Sequence, residues 1–169
     1  MSGTKIILPP IIPNYLGESA INPVGAFNGG ETYYNTVLHE EMFYDASRSK
    51  WLSIATLTIG FGRNGTTSAG AMLKTAGNVR MVKDIRGLLT KGKLTLVDWE
   101  ASRVDVDAAK LIMYEGLVSI ANLDFGVTNA IVTTQNVDIA ANKILSIEVD
   151  GGFNAITNCS GTYALKLRI

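Results

Sequence analysis

The run Gly60-Phe61-Gly62-Arg63-Asn64-Gly65 is the first candidate for chemistry, because it matches the pattern GxGxxG. In dinucleotide-binding proteins such glycines follow a strand and open a helix whose N-terminus faces the pyrophosphate, and an acidic residue about 20 positions later binds the ribose. Here a strand-like apolar run precedes the glycines, and Asp84 follows at that spacing. A nucleotide-binding enzyme that uses residues 60–65 is therefore a remote alternative.

The residues after the glycines disfavour this nucleotide site. The helix would have to cover 66–76, which begins Thr-Thr-Ser and contains the poor helix former Gly70. No repeating helix–strand units follow, so a parallel sheet would lack strands for the second half of a dinucleotide. Asn64-Gly65 is also the dipeptide that favours a two-residue hairpin turn. We therefore predict a hairpin turn at Arg63-Asn64-Gly65, with no catalytic residue and no cofactor.

Four acidic residues are the candidates for a metal site: Asp98, Glu100, Asp105 and Asp107. On a strand, Asp105 and Asp107 point to one face, where their oxygens would suit Ca²⁺. No DxDxDG-type loop is present, and nothing sets two of these acids at the separation of a glycosidase pair. We interpret them as a solvated strand face and predict no metal, with calcium binding as the open alternative.

The single histidine and the single cysteine limit the remaining chemistry. They supply too few ligands for a Cys/His zinc site, and no intrachain disulfide can form. His39 stands beside two glutamates but is predicted to lie in a turn between Tyr34 and Phe43. Cys159 is predicted to be a small buried residue or part of the turn before the last strand. The chain is therefore not predicted to be an enzyme.

Charge balance and hydropathy argue against further classes of protein, namely nucleic-acid binders and membrane proteins. The 15 basic and 15 acidic residues balance, whereas nucleic-acid and anionic-membrane binders usually carry a basic excess. No apolar run approaches the length of a transmembrane helix, and Pro9 and Pro10 interrupt the only signal-like run. We expect neither nucleic acid nor membrane insertion, and we expect the protein to stay in the cytoplasm until it is assembled.

The prolines divide the chain, because all four of them lie in residues 1–30. Proline disfavours helix interiors and central strands, so we predict an extended arm there. Residues 31–53 are predicted to form a small β-hairpin unit, and residues 54–169 a head domain. The arm carries apolar residues that need a burial place, on its own domain, a neighbouring subunit or a capsid. The predicted capsid or inter-subunit contacts are Ile6, Ile7, Leu8, Ile11, Ile12 and Tyr15.

Short strands with turn signals every 8–12 residues or so indicate an antiparallel sandwich or jelly roll. The clearest alternation covers 162–169, and Glu115-Gly116 predicts another hairpin turn. Residues 79–82 are also predicted to be a strand. Residues 105–122 resemble an amphipathic helix in part, but Gly116 in the middle favours strands.

Five aromatic residues are concentrated in the small unit: Tyr33, Tyr34, Phe43, Tyr44 and Trp51. Aromatic residues at this density either line a sugar-binding face or form the core of a hairpin unit. We favour the core.

Several short motifs together resemble bacteriophage structural proteins. Gly30-Glu31-Thr32-Tyr33-Tyr34-Asn35-Thr36, then Phe43-Tyr44-Asp45 and Lys50-Trp51-Leu52-Ser53, look like the YYNT … FxYD … KWLS segment of phage fibre and structural proteins. Phe61-Gly62-Arg63-Asn64-Gly65-Thr66-Thr67 resembles the opening of a phage jelly-roll head domain similar to the tumour necrosis factor fold. Later segments resemble its middle and late strands, at 107–109, 115–116, 118–121, 137–141 and 145–147.

This resemblance implies a homotrimer of jelly rolls without catalytic residues. It points to a virion structural protein, a head fibre or capsid decoration protein exposed on the particle, which stabilises the shell or contacts the host surface. The implied partners are further copies of itself, the capsid or another virion protein through the arm, and a host surface glycan or protein. The alternative is a phage tail-fibre receptor-binding or carbohydrate-binding module. The expected location is the virion, after synthesis in the host bacterial cytoplasm without secretion.

Overall fold

The computed structural model describes residues 14–75, 80–105, 107–126, 130–150 and 152–169, and only the backbone of 130–132. All regular secondary structure within these ranges is β, which confirms the all-β prediction. Among the same residues, no helix is long and apolar enough to cross a membrane.

The described residues form thirteen strands in three sheets. Their bounds are β1 Tyr15–Ser19, β2 Thr32–Asn35, β3 Glu40–Asp45, β4 Lys50–Ser53, β5 Leu57–Thr67, β6 Lys74–Thr75, β7 Leu88–Thr90, β8 Leu94–Ser102, β9 Ala109–Glu115, β10 Val118–Gly126, β11 Ala130–Ile139, β12 Lys143–Val149 and β13 Ile156–Leu167. The small sheet has the order β1-β2-β3-β4, the second sheet β10-β9-β12-β7, and the third sheet β11-β8-β13-β5-β6.

The second and third sheets have jelly-roll topology. If β6 is left aside, the first strand of the head, β5, pairs with the last, β13, and β7 pairs with β12. Likewise β8 pairs with β11, and β9 with β10. This nested pairing of first with last strands is what wraps two antiparallel sheets around one core. The predicted antiparallel sandwich is therefore present.

The core of the head follows from alternation along its strands. On β10 the residues Ala121, Leu123 and Phe125 are buried while their neighbours are exposed, and β13 likewise buries Tyr163 and Leu165. Successive side chains of a strand point to opposite faces, so each sheet turns an apolar face to the other. Trp99 on β8 is the largest fully buried side chain.

The small sheet begins at Tyr15, inside the residues predicted to form the arm. Strand β1 runs parallel to β2, and the Thr32 amide donates to the Asn14 carbonyl at 3.0 Å. Asn35 closes the next turn, because its Oδ1 accepts from the amides of Val37 and Leu38 at 3.0 and 2.7 Å. The division into arm, hairpin unit and head remains a prediction.

The predicted hairpin turn at Arg63-Asn64-Gly65 is wrong, because these residues lie inside β5. The pairing with β13 slips by one residue there, and Gly65 adopts φ 74. The Gly65 amide donates to Asn158 Oδ1 at 2.6 Å. The Asn-Gly turn would require a positive φ at both residues, but only Gly65 has one, and a single left-handed residue in a paired strand makes a β-bulge instead of a reversal.

Three further predictions concern the part of the chain between residues 79 and 122. The hairpin at Glu115-Gly116 is confirmed, since Val118 pairs with Glu115 and Gly116 has φ 62. Residues 105–122 form no helix where they are described. The strand predicted over 79–82 is wrong for 80–82, which make only isolated bridges, with Lys74 for Arg80 and with Arg86 for Val82. Val79 lies outside the described residues.

Candidate interaction surfaces

Arg48 fixes the small sheet to the head. Its Nη1 pairs with Asp45 at 2.6 Å in the same turn. Its Nη2 and Nε donate to the carbonyls of Val97 and Gln135, each at 2.8 Å. Both partners of the ion pair are largely buried, with side chains 13% and 11% exposed. The planar fork of arginine suits three acceptors that diverge in this way.

Asp138 forms a second link between the small sheet and the head. Its Oδ1 accepts from Lys50 Nζ at 2.6 Å and from Thr95 Oγ1 at 2.9 Å, and Arg168 Nε lies 3.4 Å away. Burial opposes ionisation of Asp138, but the hydrogen bonds from Lys50 and Thr95 outweigh it and lower the pKa of the carboxyl. The ionised carboxylate of Asp138 therefore joins a strand of the small sheet to strands of the head.

Lys166 completes the junction from β13. Its Nζ donates to the Ser53 and Ile54 carbonyls at 2.9 and 2.8 Å and lies 4.9 Å from the centre of the Phe43 ring. The Leu167 amide donates to Ser53 Oγ at 2.9 Å. Burial lowers the pKa of Lys166, and the nearby carboxylates of Asp45 and Asp98 offset this effect only in part. With Arg48 and Asp138, these bonds hold the small sheet in one orientation on the head.

An apolar groove of about 320 Å³ lies beside this junction. Its floor is formed by Leu94, Leu165 and Leu167 of the head, and Leu57 lines it while remaining 49% exposed. The rest of the lining comes from Glu40, Ser53, Ala55 and Thr56. We refer to these eight residues as the apolar groove.

A second groove, of about 370 Å³, has a polar character and contains part of the GxGxxG run. Arg63, Asn64, Lys74, Thr75 and Ser160 line it together with Phe61, Gly62 and Cys159. The glycines here belong to a strand, and no helix N-terminus lies in any described segment of the chain. The strand–turn–helix needed to hold a pyrophosphate is therefore missing from the described structure.

The outer face of the third sheet carries several small residues on three neighbouring strands. On adjacent strands Gly62, Ser160 and Ser102 are in register, followed by Gly60, Thr162 and Glu100. Thr162 Oγ1 donates to Glu100 Oε1 at 2.8 Å across the strands. Side chains this short leave the sheet open to close approach by another surface.

Of the predicted contact residues, only Tyr15 belongs to the described structure; Ile6, Ile7, Leu8, Ile11 and Ile12 lie outside the described residues. Tyr15 is 41% exposed on β1, the edge strand of the small sheet, next to the similarly exposed Leu16. The predicted capsid or inter-subunit contacts of the arm therefore stay predictions.

The acidic residues do not gather into a metal site. Asp98 and Glu100 are exposed on β8, whereas Asp105 pairs with Arg103 at 3.1 Å and accepts from the Thr157 amide at 2.6 Å. Within the described ranges, no group of three or more His, Cys, Asp or Glu residues is placed to hold a metal. His39 is exposed at φ 54 in the turn between β2 and β3.

The aromatic residues divide between the two faces of the small sheet. Tyr33 and Trp51 meet edge to face at 5.0 Å between centroids, and Phe27 and Tyr44 pack on Trp51 at 4.9 and 5.3 Å. The hairpin core was predicted for all five aromatic residues, and it contains Tyr33, Tyr44 and Trp51 but not Tyr34, which lies on the opposite face of the sheet. Phe43 lies on the other face, beneath Lys166. Sequence reasoning missed Phe27 and Ile169 as members of this core, because no local pattern connects either residue with the strands of the small sheet.

Cys159 is buried in β13, and burial raises the pKa of its thiol to about 12. The thiolate is the reactive form, and an unfolded cysteine has a pKa of about 8.5. We expect no reaction of the folded protein with a disulfide reagent at mildly alkaline pH and complete reaction after unfolding in guanidinium chloride, measured by thiol absorbance. Rapid labelling of the folded protein would show that this strand opens.

Comparisons with known proteins give distant structural similarity and no family. No family model matches the chain, and no curated protein matches it. Among solved structures, the chain is similar to the PRD1 vertex protein P5, with a TM-score of 0.42 and 12% identity over 66% of this chain and 96% of that one. Similarity of this degree assigns neither a family nor an activity.

Proposed function

We propose that this chain is a bacteriophage virion structural protein, a homotrimeric head fibre or capsid decoration protein with a tumour necrosis factor-like head. The observation that carries the proposal is the fixed junction between a complete jelly roll and a small N-terminal sheet whose first strand continues from the apolar arm. Such an arrangement suits a protein that attaches at one end and presents a stable head at the other. The motifs at residues 30–53 that resemble phage fibre proteins supply strands β2, β3 and β4 of this small sheet.

Trimerisation is supported by surface chemistry. The outer face of the third sheet carries the small residues Gly60, Gly62, Ser102 and Ser160, which permit close packing against another copy. The chain has no net charge, so copies do not repel one another through a net field. Closed cyclic assembly also protects strand edges that otherwise invite open-ended pairing.

The test of the proposal is the native mass. We expect light scattering after size exclusion to give three times 18.1 kDa, about 54 kDa. Trimers that also bind purified capsids would support the virion role. A monomer that binds a glycan array would instead favour a carbohydrate-binding module, for which the polar groove at Arg63 offers hydrogen-bonding groups. We propose no catalytic activity for either form.

A further inference from the structure

We propose that the apolar groove is the binding site of residues Lys5–Leu8 of this chain, the start of its own N-terminal arm. The inference goes beyond the virion role and does not depend on it. It rests on the chemistry of the groove, on the chemistry of the segment and on the distance that the arm must cover.

The groove offers apolar surface with one charged position at its rim. Leu57 is half exposed although the leucines beside it, Leu94 and Leu165, are buried. An exposed leucine that borders a concave leucine-lined floor gains from any apolar side chain placed against it. The Glu40 carboxylate lies at the same groove and makes no ion pair with any residue in the described parts of the chain.

The segment Lys5-Ile6-Ile7-Leu8 has the complementary pattern. Three consecutive aliphatic side chains match the leucine floor, and the Lys5 ammonium matches Glu40. Pro9 and Pro10 follow directly, and proline has no amide hydrogen to donate. A segment that leads into prolines is a poor partner for a strand edge, and it is better suited to a groove that binds through side chains.

The arm is long enough to reach the groove. Asn14 lies at the β1 edge of the small sheet, at the end where β2 begins, whereas the groove lies where β3 begins and β4 ends. Crossing three strand spacings and four residues along a strand gives a diagonal of roughly 20 Å. Leu8 lies six residues before Asn14 and Lys5 lies nine residues before it, so a nearly fully extended chain places Leu8 up to about 20 Å and Lys5 up to about 30 Å from Asn14. The segment therefore reaches the groove of its own copy or of a neighbouring copy.

A disulfide-trapping experiment on the full chain tests the contact. Cysteines at Leu8→Cys and Thr56→Cys place one thiol in the segment and one in the groove, while the buried native Cys159 stays unreactive. The control combines Leu8→Cys with Ser119→Cys, an exposed position on β10. We expect cross-linking under mild oxidation at least ten times faster in the test pair than in the control. A band within one chain or between two chains identifies which copy donates the arm; equal rates in the two pairs would overturn the proposal.

Labelling of a thiol introduced by Leu8→Cys provides a second readout, because the groove would shield this side chain from a reagent in solution. The substitution Leu57→Glu puts a charge into the groove at a half-exposed position that tolerates it, and Leu89→Glu is the matched control on β7. When each is combined with Leu8→Cys, we expect Leu57→Glu to accelerate labelling of the thiol at least tenfold and the control to leave the rate unchanged. A thiol at position 8 that reacts as fast in the folded protein as in the unfolded chain would contradict docking, whatever the native mass proves to be.

Charge reversal tests the proposed pair between Lys5 and Glu40. In the Leu8→Cys protein, each single reversal, Lys5→Glu or Glu40→Lys, should speed labelling of the thiol, and the double reversal should restore most of the protection. If both single reversals leave the labelling rate as it is in the Leu8→Cys protein, the segment does not lie with Lys5 at Glu40.

Discussion

Replacing Gly161 with alanine is expected to destabilise the protein by about 3 kcal/mol or more, one of the largest effects of any single methyl group in this chain. A Cβ at this position of β13 would lie 2.2 Å from the Glu100 carbonyl oxygen, 2.7 Å from the Phe61 ring and 2.8 Å from the Ala101 Cα. Two of these neighbours are backbone atoms of β8, so relief requires the central strands of the third sheet to separate.

The measurement is chemical unfolding followed by tryptophan fluorescence, which reports on Trp99 in the adjacent strand. The matched control is Gly92→Ala, where the nearest atom is Leu167 Cδ2 at 3.4 Å and no positive φ is required. We expect the control to unfold close to the parent protein. Equal stabilities of the two variants would mean that β8 and β13 are not packed as closely as described.

The second large effect is expected for Arg48→Met, at about 3 kcal/mol. The substitution keeps the aliphatic stem but removes the guanidinium that donates to Asp45 Oδ2 and to the Val97 and Gln135 carbonyls, and the Asp45 carboxylate retains Oδ1 bonds such as that from Ser47 Oγ. A buried acceptor that loses its partner keeps the cost of desolvation. Arg48→Lys is the control, because it retains the charge but not the fork, and we expect an intermediate loss.

The pH dependence of stability distinguishes the contribution of the Arg48–Asp45 ion pair from that of side-chain packing. Burial opposes ionisation of Asp45, but hydrogen bonds from Ser47 and Arg48 prevail and lower the pKa of its carboxyl in the folded protein. The stability contributed by Asp45 is therefore complete above the unfolded pKa of about 4 and is lost as pH falls through the lowered folded pKa. We expect Arg48→Met to weaken this acid dependence in unfolding titrations. An unchanged acid profile would mean that Arg48 does not stabilise the ionised carboxyl.

Local patterns in the sequence were sufficient for the fold class but not for every element. The alternation in β13 and the glycine turn at Gly116 correctly predicted strands, because side-chain period and positive φ are local properties. At Gly65 the positive φ was also indicated, but whether it reverses the chain depends on a partner about 90 residues away in β13. Local sequence cannot specify that partner.

The candidate surfaces were less accessible to sequence analysis. The apolar groove combines Leu57 with Leu94 and Leu165, three leucines from separate strands whose shared surface arises only after folding. Arg48 gave no signal either, since arginine in a polar turn is ordinarily solvated, and its acceptors are backbone carbonyls of distant strands. The aromatic core was predictable in part, because Tyr33, Tyr44 and Trp51 lie close together in the chain.

The nested strand pairing has a consequence for biosynthesis. Strand β5 cannot pair with β13 until residues 156–167 exist, and the core of the small sheet includes Ile169. At about 5–20 residues per second, the roughly 90 residues between these strands take about 5–20 s to translate. During that interval the early strands of the nascent chain have open edges, and the high contact order of the topology slows later folding. We therefore expect efficient production in cells to depend on chaperones that shield the first half of the chain.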